Sequence, residues 1–176
     1  MFGFAYVGGA TYVYQGPYGL GASEFGLLFG VTAALMGLGS IAAHRLTGRI
    51  SQGRLALLGA ALIVVGAIAA LTAVHLALPI GALAGAIGVA MCGAGMAEPV
   101  LMGVAMSSRD DNLGSASALL GSSQFVLGAA ASAIAAPAAT AGPLVWTGLL
   151  LATSLLVALL TAGVAATTTG KQPASC

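Results

Sequence analysis

Charged residues are scarce in this sequence. Five Lys or Arg and four Asp or Glu make up 5% of its 176 residues, whereas soluble proteins average about 25%. So little charge cannot cover the surface of a soluble domain, and the composition therefore excludes one. The near balance of basic and acidic residues also leaves no basic stripe, so we expect no nucleic-acid partner.

Residues that bind metals or perform chemistry are equally sparse. The two cysteines do not suggest a disulfide framework, since Cys92 lies inside an apolar run and Cys176 is the last residue. His44 and His75 have no second ligand at metal spacing. The sequence shows no nucleophile–base pair and no phosphate-binding loop, so we expect neither an enzyme nor a bound cofactor.

Long apolar segments are what the sequence has instead, since 59% of its residues are hydrophobic. A membrane-spanning helix needs about 20 such residues. Five segments have this length and a sixth, residues 2–14, is too short, covering about 20 Å of a hydrocarbon core about 30 Å thick. The sequence predicts an all-α integral membrane protein, a six-helix bundle with a disordered cytoplasmic tail at 166–176. The predicted helices are 2–14, 22–43, 55–75, 80–106, 113–136 and 143–165.

The basic residues predict the orientation of these helices. With six helices, all five basic residues fall on the same side: Arg45, Arg49, Arg54, Arg109 and Lys171. Loops rich in Lys and Arg stay in the cytoplasm. We therefore expect a multi-pass protein of the plasma (inner) membrane with both termini cytoplasmic. An even helix number is needed for this agreement, which supports counting 2–14 as the first helix.

Glycine is abundant, and small residues let helices approach closely in a membrane. The 27 glycines include pairs at four-residue spacing, such as Gly26 with Gly30 and Gly81 with Gly85. Such pairs are typical of helix contacts, but they are equally expected from a sequence this rich in glycine.

The carboxylate of Glu98 is the most unusual feature of the predicted helices. It lies about 7–8 Å from the middle of its helix, where an ionised side chain costs about 2.5–3.5 kcal/mol. Pro99 has no N–H group, so it leaves the Gly95 carbonyl without its helical donor and predicts a kink and a local polar patch.

The helical spacing predicts a lining face that contains Glu98. This face, suited to apolar or cationic molecules, would comprise Met91, Gly95, Glu98, Met102 and Ala105. The alternative is a structural Glu98, protonated or paired with a neighbour such as Arg109, with the methionines as packing.

Gln124 lies at the centre of the fifth predicted helix. Spacing places on its face the small residues Ser117, Gly121, Gly128 and Ser132. A polar stripe at this depth either lines a cavity or joins two helices by hydrogen bonds. Spacing alone slightly favours the hydrogen bonds between helices.

Two stretches resemble a known family. "YVYQGPYGLGASEFGLLFGVTAALMGLGS" at 12–40 resembles the seventh and eighth helices of major facilitator drug:proton antiporters of the bicyclomycin/chloramphenicol-resistance (Bcr/CflA) type. "GSASALLGSSQFVLGA" at 114–129 resembles their eleventh helix. The resemblance extends over about residues 1–165. It implies the C-terminal half of such a transporter, helices 7–12, with its first helix truncated and with inverted three-helix repeats.

The resemblance also implies a function. Such proteins export small lipophilic or cationic drug-like molecules in exchange for protons, using the proton gradient and no cofactor. Gln15 and Gln124 match family positions and are thereby assigned to the substrate cavity. Glu98 stands where the family has phenylalanine–proline–asparagine, so its assignment depends on its depth in the membrane alone. The expected partner is an N-terminal half, without which we expect the chain to be inactive.

A second hypothesis from a different class stays open. The chain would then be a small membrane scaffold or assembly subunit, acting through helix–helix contacts or as a homodimer and transporting nothing.

Overall fold

The described residues, 2–107 and 113–169 of a computed structural model, form six α-helices. They are α1 (Phe2–Gln15), α2 (Ala22–Leu46), α3 (Gln52–His75), α4 (Ile80–Ser107), α5 (Leu113–Ala141) and α6 (Pro143–Thr169). These ranges contain no β-strand, only an isolated bridge between Thr47 and Ile50. The all-α membrane bundle predicted from the sequence is confirmed. The helices α2 to α6 are long and apolar enough to cross a membrane, and α1, with 14 residues, is shorter.

The helices pack in a pattern that repeats after three elements. α4 packs against α2 and α3, and α1 packs against α5 and α6. α3 and α6 pack against each other. Exchanging α1–α3 with α4–α6 preserves these contacts, although α5 also packs against α6 whereas α2 and α3 scarcely meet. Because each unit has three helices, successive units run through the bundle in opposite directions, as in an inverted repeat.

Glycine allows the closest of these contacts. Gly59 faces the backbone of Gly93 and Ala97, so α3 and α4 nearly touch along their backbones. An added Cβ at Gly66 would lie 2.5 Å from the Ala90 backbone nitrogen. Side chains larger than hydrogen cannot occupy these positions unless the helices separate, which is how small residues drive packing in lipid.

The two glycine pairs singled out by spacing are not at these contacts. A Cβ at Gly26, Gly30, Gly81 or Gly85 would meet no atom within 4 Å. Four-residue spacing places two glycines on one face, but which face turns inward depends on all neighbouring helices. Large apolar side chains such as Leu27, Leu119 and Phe125 are also exposed, at 69–72%, as expected for surfaces that meet lipid or a further helix.

We predict that Gly66→Ala destabilises the bundle and Gly85→Ala does not. The methyl group added at position 66 would force α3 and α4 apart, at about 1–3 kcal/mol, whereas position 85 is open. Reversible unfolding in mixed detergent micelles, followed by circular dichroism, measures both variants. Equal effects of the two substitutions would show that the α3–α4 contact is not as close as described.

Cysteine labelling tests the predicted orientation, in a background with Cys92 and Cys176 replaced. A cysteine at Pro17, exposed between α1 and α2, should react with an impermeant thiol reagent added outside cells. A cysteine at Gln52, exposed at the start of α3, should react only after permeabilisation. Gly16 is unsuitable, since a Cβ there would lie 2.6 Å from the Tyr12 carbonyl oxygen. Reversed labelling would contradict cytoplasmic termini.

Candidate functional site

The crossing of α2 and α4 is built around the carbonyl that Pro99 leaves free. The Ser40 Oγ donates a hydrogen bond to the Gly95 carbonyl oxygen at 3.0 Å. Gly95 packs directly on the backbone of Met36, and Gly39 packs on the backbone of Cys92. The polar patch predicted at Pro99 is therefore present. It serves as a joint between two helices, because Ser40 supplies the donor that proline lacks.

Glu98 lies beside this joint but outside it. Gly95 faces α2, while Gly93 and Ala97 face α3, and the Glu98 and Pro99 side chains turn to the outer surface of the bundle, where both are exposed. The six helices therefore do not enclose the carboxylate. Arg109, its possible partner, lies outside the described residues.

The residues predicted to share a lining face with Glu98 lie in different surroundings. Met91 is 6% exposed and packs in the main hydrophobic core. Met102 is half-buried. Gly95 is occupied by its contact with α2. The structure thus divides this helical face: Gly95 packs against α2, whereas Glu98, three residues further along, is exposed.

Gln124 is half-buried on α5, and the stripe that carries it has two parts. Towards the end of α5, Gly128 packs against the Phe4 ring and Ser132 packs on Gly8. The Ser132 Oγ donates to the Phe4 carbonyl oxygen at 2.8 Å. Towards its beginning, Ser117 is exposed and donates only within its own helix, to Gly114. The stripe therefore contacts α1 on the C-terminal side of Gln124, and Ser117 on its N-terminal side is exposed. Gln15 is exposed at the end of α1, away from Gln124.

The same kind of contact, a serine bonded to a backbone carbonyl of another helix, joins α2 to α4 and α5 to α1. Ser40 on α2 donates to a backbone carbonyl of α4, and Ser132 on α5 donates to one of α1. In each joint a glycine provides the room: Gly95 on the accepting helix in one, Gly128 on the donating helix in the other. Sequence reasoning found Ser132 but missed Ser40, although a serine beside Gly39 in an apolar run carries the same signal.

An apolar groove of about 270 Å³ lies between α2, α3 and α4, apart from Glu98 and Gln124. Its lining residues are Leu35, Leu62, Gly85, Gly88, Val89 and Cys92. These side chains offer contact to an apolar group, and no charge. The described part of the chain holds no group of three or more His, Cys, Asp or Glu that could bind a metal.

We predict that Ser40→Ala destabilises the protein by about 1 kcal/mol, because the Gly95 carbonyl loses its donor. The substitution should cost much less in a Pro99→Ala background, where the alanine backbone regains an N–H group that can bond to the Gly95 carbonyl. Ser122→Ala is the matched control, since the Ser122 hydroxyl is exposed and bonds only within α5. Unfolding free energies of the four variants in the cycle measure the coupling, and an additive result would contradict the joint.

Comparisons with known proteins give one informative similarity. No family model matches the chain, and no solved structure matches it either. The chain is 32% identical over 129 residues to a protein of Bacillus subtilis (strain 168) named "Uncharacterized MFS-type transporter YdgK". The aligned region covers 73% of this chain and 32% of that protein, so the chain spans about a third of its relative. Together with the helical membrane bundle, this similarity supports the major facilitator superfamily, and no particular branch of it.

Proposed function

We propose that this chain forms the C-terminal half of a major facilitator transporter that exports small lipophilic or cationic molecules in exchange for protons. The main support for this proposal is the similarity to an MFS-type transporter. The similar packing of α1–α3 and α4–α6 is consistent with the same fold. The drug:proton antiport and the Bcr/CflA branch rest on the resemblance of 12–40 and 114–129 to that group.

The exposure of Glu98 supports the presence of a second six-helix half in the complete transporter. A carboxylate about 7 Å from the middle of α4 is costly if it faces lipid, by about 2.5–3.5 kcal/mol when ionised. A polar cavity closed by a second six-helix half removes that cost. Facilitator substrate sites lie near the midplane between such units, at the depth of Glu98 and Gln124. We therefore assign both side chains to the cavity, and with them Gln15, which is exposed at the end of α1. We also assign Met91 and Met102, which a conformational change would uncover further.

The orientation and driving force belong to the same proposal. Arg45, Arg49 and Arg54 are exposed around the turn between α2 and α3, where they would meet the cytoplasm at the plasma membrane. The proton gradient would drive export, and no cofactor is needed. An N-terminal half would supply the remaining lining, so the chain alone should transport nothing.

A second candidate is a scaffold that acts through helix contacts, possessing no transport activity. The outward-facing Gly26–Gly30 and Gly81–Gly85 pairs favour it, because they offer open surfaces on which another helix, such as one of a second copy, could pack closely.

Transport assays distinguish these functions. The chain should be reconstituted in vesicles alone and together with the part of the Bacillus subtilis relative that lies outside the aligned region. We expect drug-dependent proton release from the pair only. A chain that forms cross-linked homodimers and releases no protons in either preparation would favour the scaffold.

We predict that Glu98→Gln lowers export of cationic drugs about tenfold or more, since it removes a charge-assisted contact, and leaves neutral drugs less affected. Expression and helicity should be unchanged, because the side chain is exposed in the bundle. Glu24→Gln is the matched control, as Glu24 is exposed at the start of α2 and accepts a hydrogen bond from Gly21 N. Normal export of every substrate by Glu98→Gln would remove Glu98 from the site.

A further inference from the structure

Three of the five basic residues in the sequence lie close together around the turn between α2 and α3. Arg45 belongs to the last turn of α2, Arg49 lies in the connecting turn, and Arg54 belongs to the first turn of α3. All three side chains are exposed. We call this surface the arginine patch; it consists of Arg45, Arg49 and Arg54. Three positive charges are thus gathered at one end of two helices that can span a membrane.

The turn that carries the patch has a well-bonded backbone. The Thr47 amide and hydroxyl both donate to the Ala43 carbonyl oxygen, at 2.9 and 2.8 Å. The amides of Arg49 and Ile50 donate to the Leu46 carbonyl oxygen, at 3.0 and 3.1 Å. Thr47 and Ile50 also form a bridge, which places their backbones about 5 Å apart. The end of α2 and the beginning of α3 are therefore held close together, and the arginines belong to one small surface.

No acidic side chain balances the patch among residues 2–107 and 113–169. Within those ranges, none of the three guanidinium groups forms an ion pair or a side-chain hydrogen bond. The acidic residues there lie elsewhere, Glu24 at the opposite end of α2 and Glu98 within α4. Asp110 and Asp111 lie outside the described residues. An anion from outside the described bundle is therefore needed to balance the charge of the patch.

The position of Arg54 adds to this imbalance. It is the third residue of α3, and the first turn of a helix carries a partial positive charge because its amides lack helical acceptors. α3 has no acidic residue in its first turn, and the Ser51 side chain makes no capping hydrogen bond. An arginine is thus placed where a carboxylate would be favoured, so an anion beside Arg54 would relieve an unfavourable interaction.

We propose that the arginine patch binds the headgroup of an anionic phospholipid at the membrane surface. The turn is short and joins two helices that are long and apolar enough to span a membrane, so it lies at the height of the lipid headgroups. Guanidinium groups form paired hydrogen bonds to phosphate, and a headgroup held from both helices would join their ends. This binding is a property of the chain and does not depend on whether it transports drugs.

Competition between two lipids measures the binding. The full chain in detergent is mixed with equal amounts of phosphatidylglycerol and phosphatidylcholine that carry the same acyl chains, and native mass spectrometry gives the ratio of the two complexes. We expect phosphatidylglycerol to be bound in about tenfold excess or more, because each basic residue near the surface contributes about fivefold. The excess should decrease at high salt, since the arginines are exposed. Equal binding of both lipids would overturn the proposal.

Single substitutions locate the site. Arg49→Gln and Arg54→Gln should each lower the excess about fivefold. Lys171→Gln is the matched control, because it removes the same charge near the C-terminus and should leave the excess unchanged. Arg54→Lys keeps the charge and should retain most of the excess, which separates loss of charge from loss of folding. An equal decrease in Lys171→Gln would show that net charge alone attracts the lipid, and would overturn the site.

Two further measurements separate a lipid from other anions. Glycerol phosphate carries a phosphate without acyl chains, and adding it should not displace phosphatidylglycerol. Displacement would assign the patch to a soluble anion and overturn the proposal. The double variant Asp110→Asn/Asp111→Asn should bind phosphatidylglycerol as the unchanged chain does. If only this variant prefers phosphatidylglycerol, the arginines pair with those aspartates and the proposal is wrong.

Discussion

The requirement that every backbone polar group in hydrocarbon has a partner governs this bundle. Helices meet it internally except where a proline lies inside one, as Pro99 does in α4 and Pro137 in α5. Pro99 leaves the Gly95 carbonyl without its helical donor. Ser40 repairs the violation from the neighbouring helix. Since a serine hydroxyl can reach a foreign carbonyl only when two backbones nearly touch, glycine is needed at the same level, and Gly39 and Gly95 provide it. The closest approach of α2 and α4 therefore coincides with this interaction, since Gly39 and Gly95 pack there on the backbones of Cys92 and Met36.

The same constraint gives meaning to the exposure of Glu98. Its carboxylate lies at a depth where lipid would surround it. A partner that adds a polar surface would satisfy the carboxylate, so this exposure supports a second half-transporter.

Proline contributes to only one of the two serine joints. Pro99 creates the free carbonyl at the α2–α4 joint, whereas Ser132 donates to Phe4, whose carbonyl lies in the first turn of α1. The outcome is alike, a serine on the second helix of each three-helix unit bonded to the first helix of the other. Helix contacts through backbones leave the large apolar side chains free to face outward, as Leu119 and Phe125 do.

Composition and run length determined the membrane class, the six helices and the free carbonyl at Pro99, because these depend on local chemistry and on helix geometry alone. Spacing correctly predicted that Gly128 and Ser132 share a face, since that follows from 3.6 residues per turn. Spacing could not show which glycines meet another helix or that Ser40 donates a hydrogen bond to the Gly95 carbonyl. Nor could it show that Met91 is buried while Glu98 is exposed. Those outcomes depend on how α2, α3 and α4 pack against one another, and this packing involves all six helices together, so only the tertiary structure decides it.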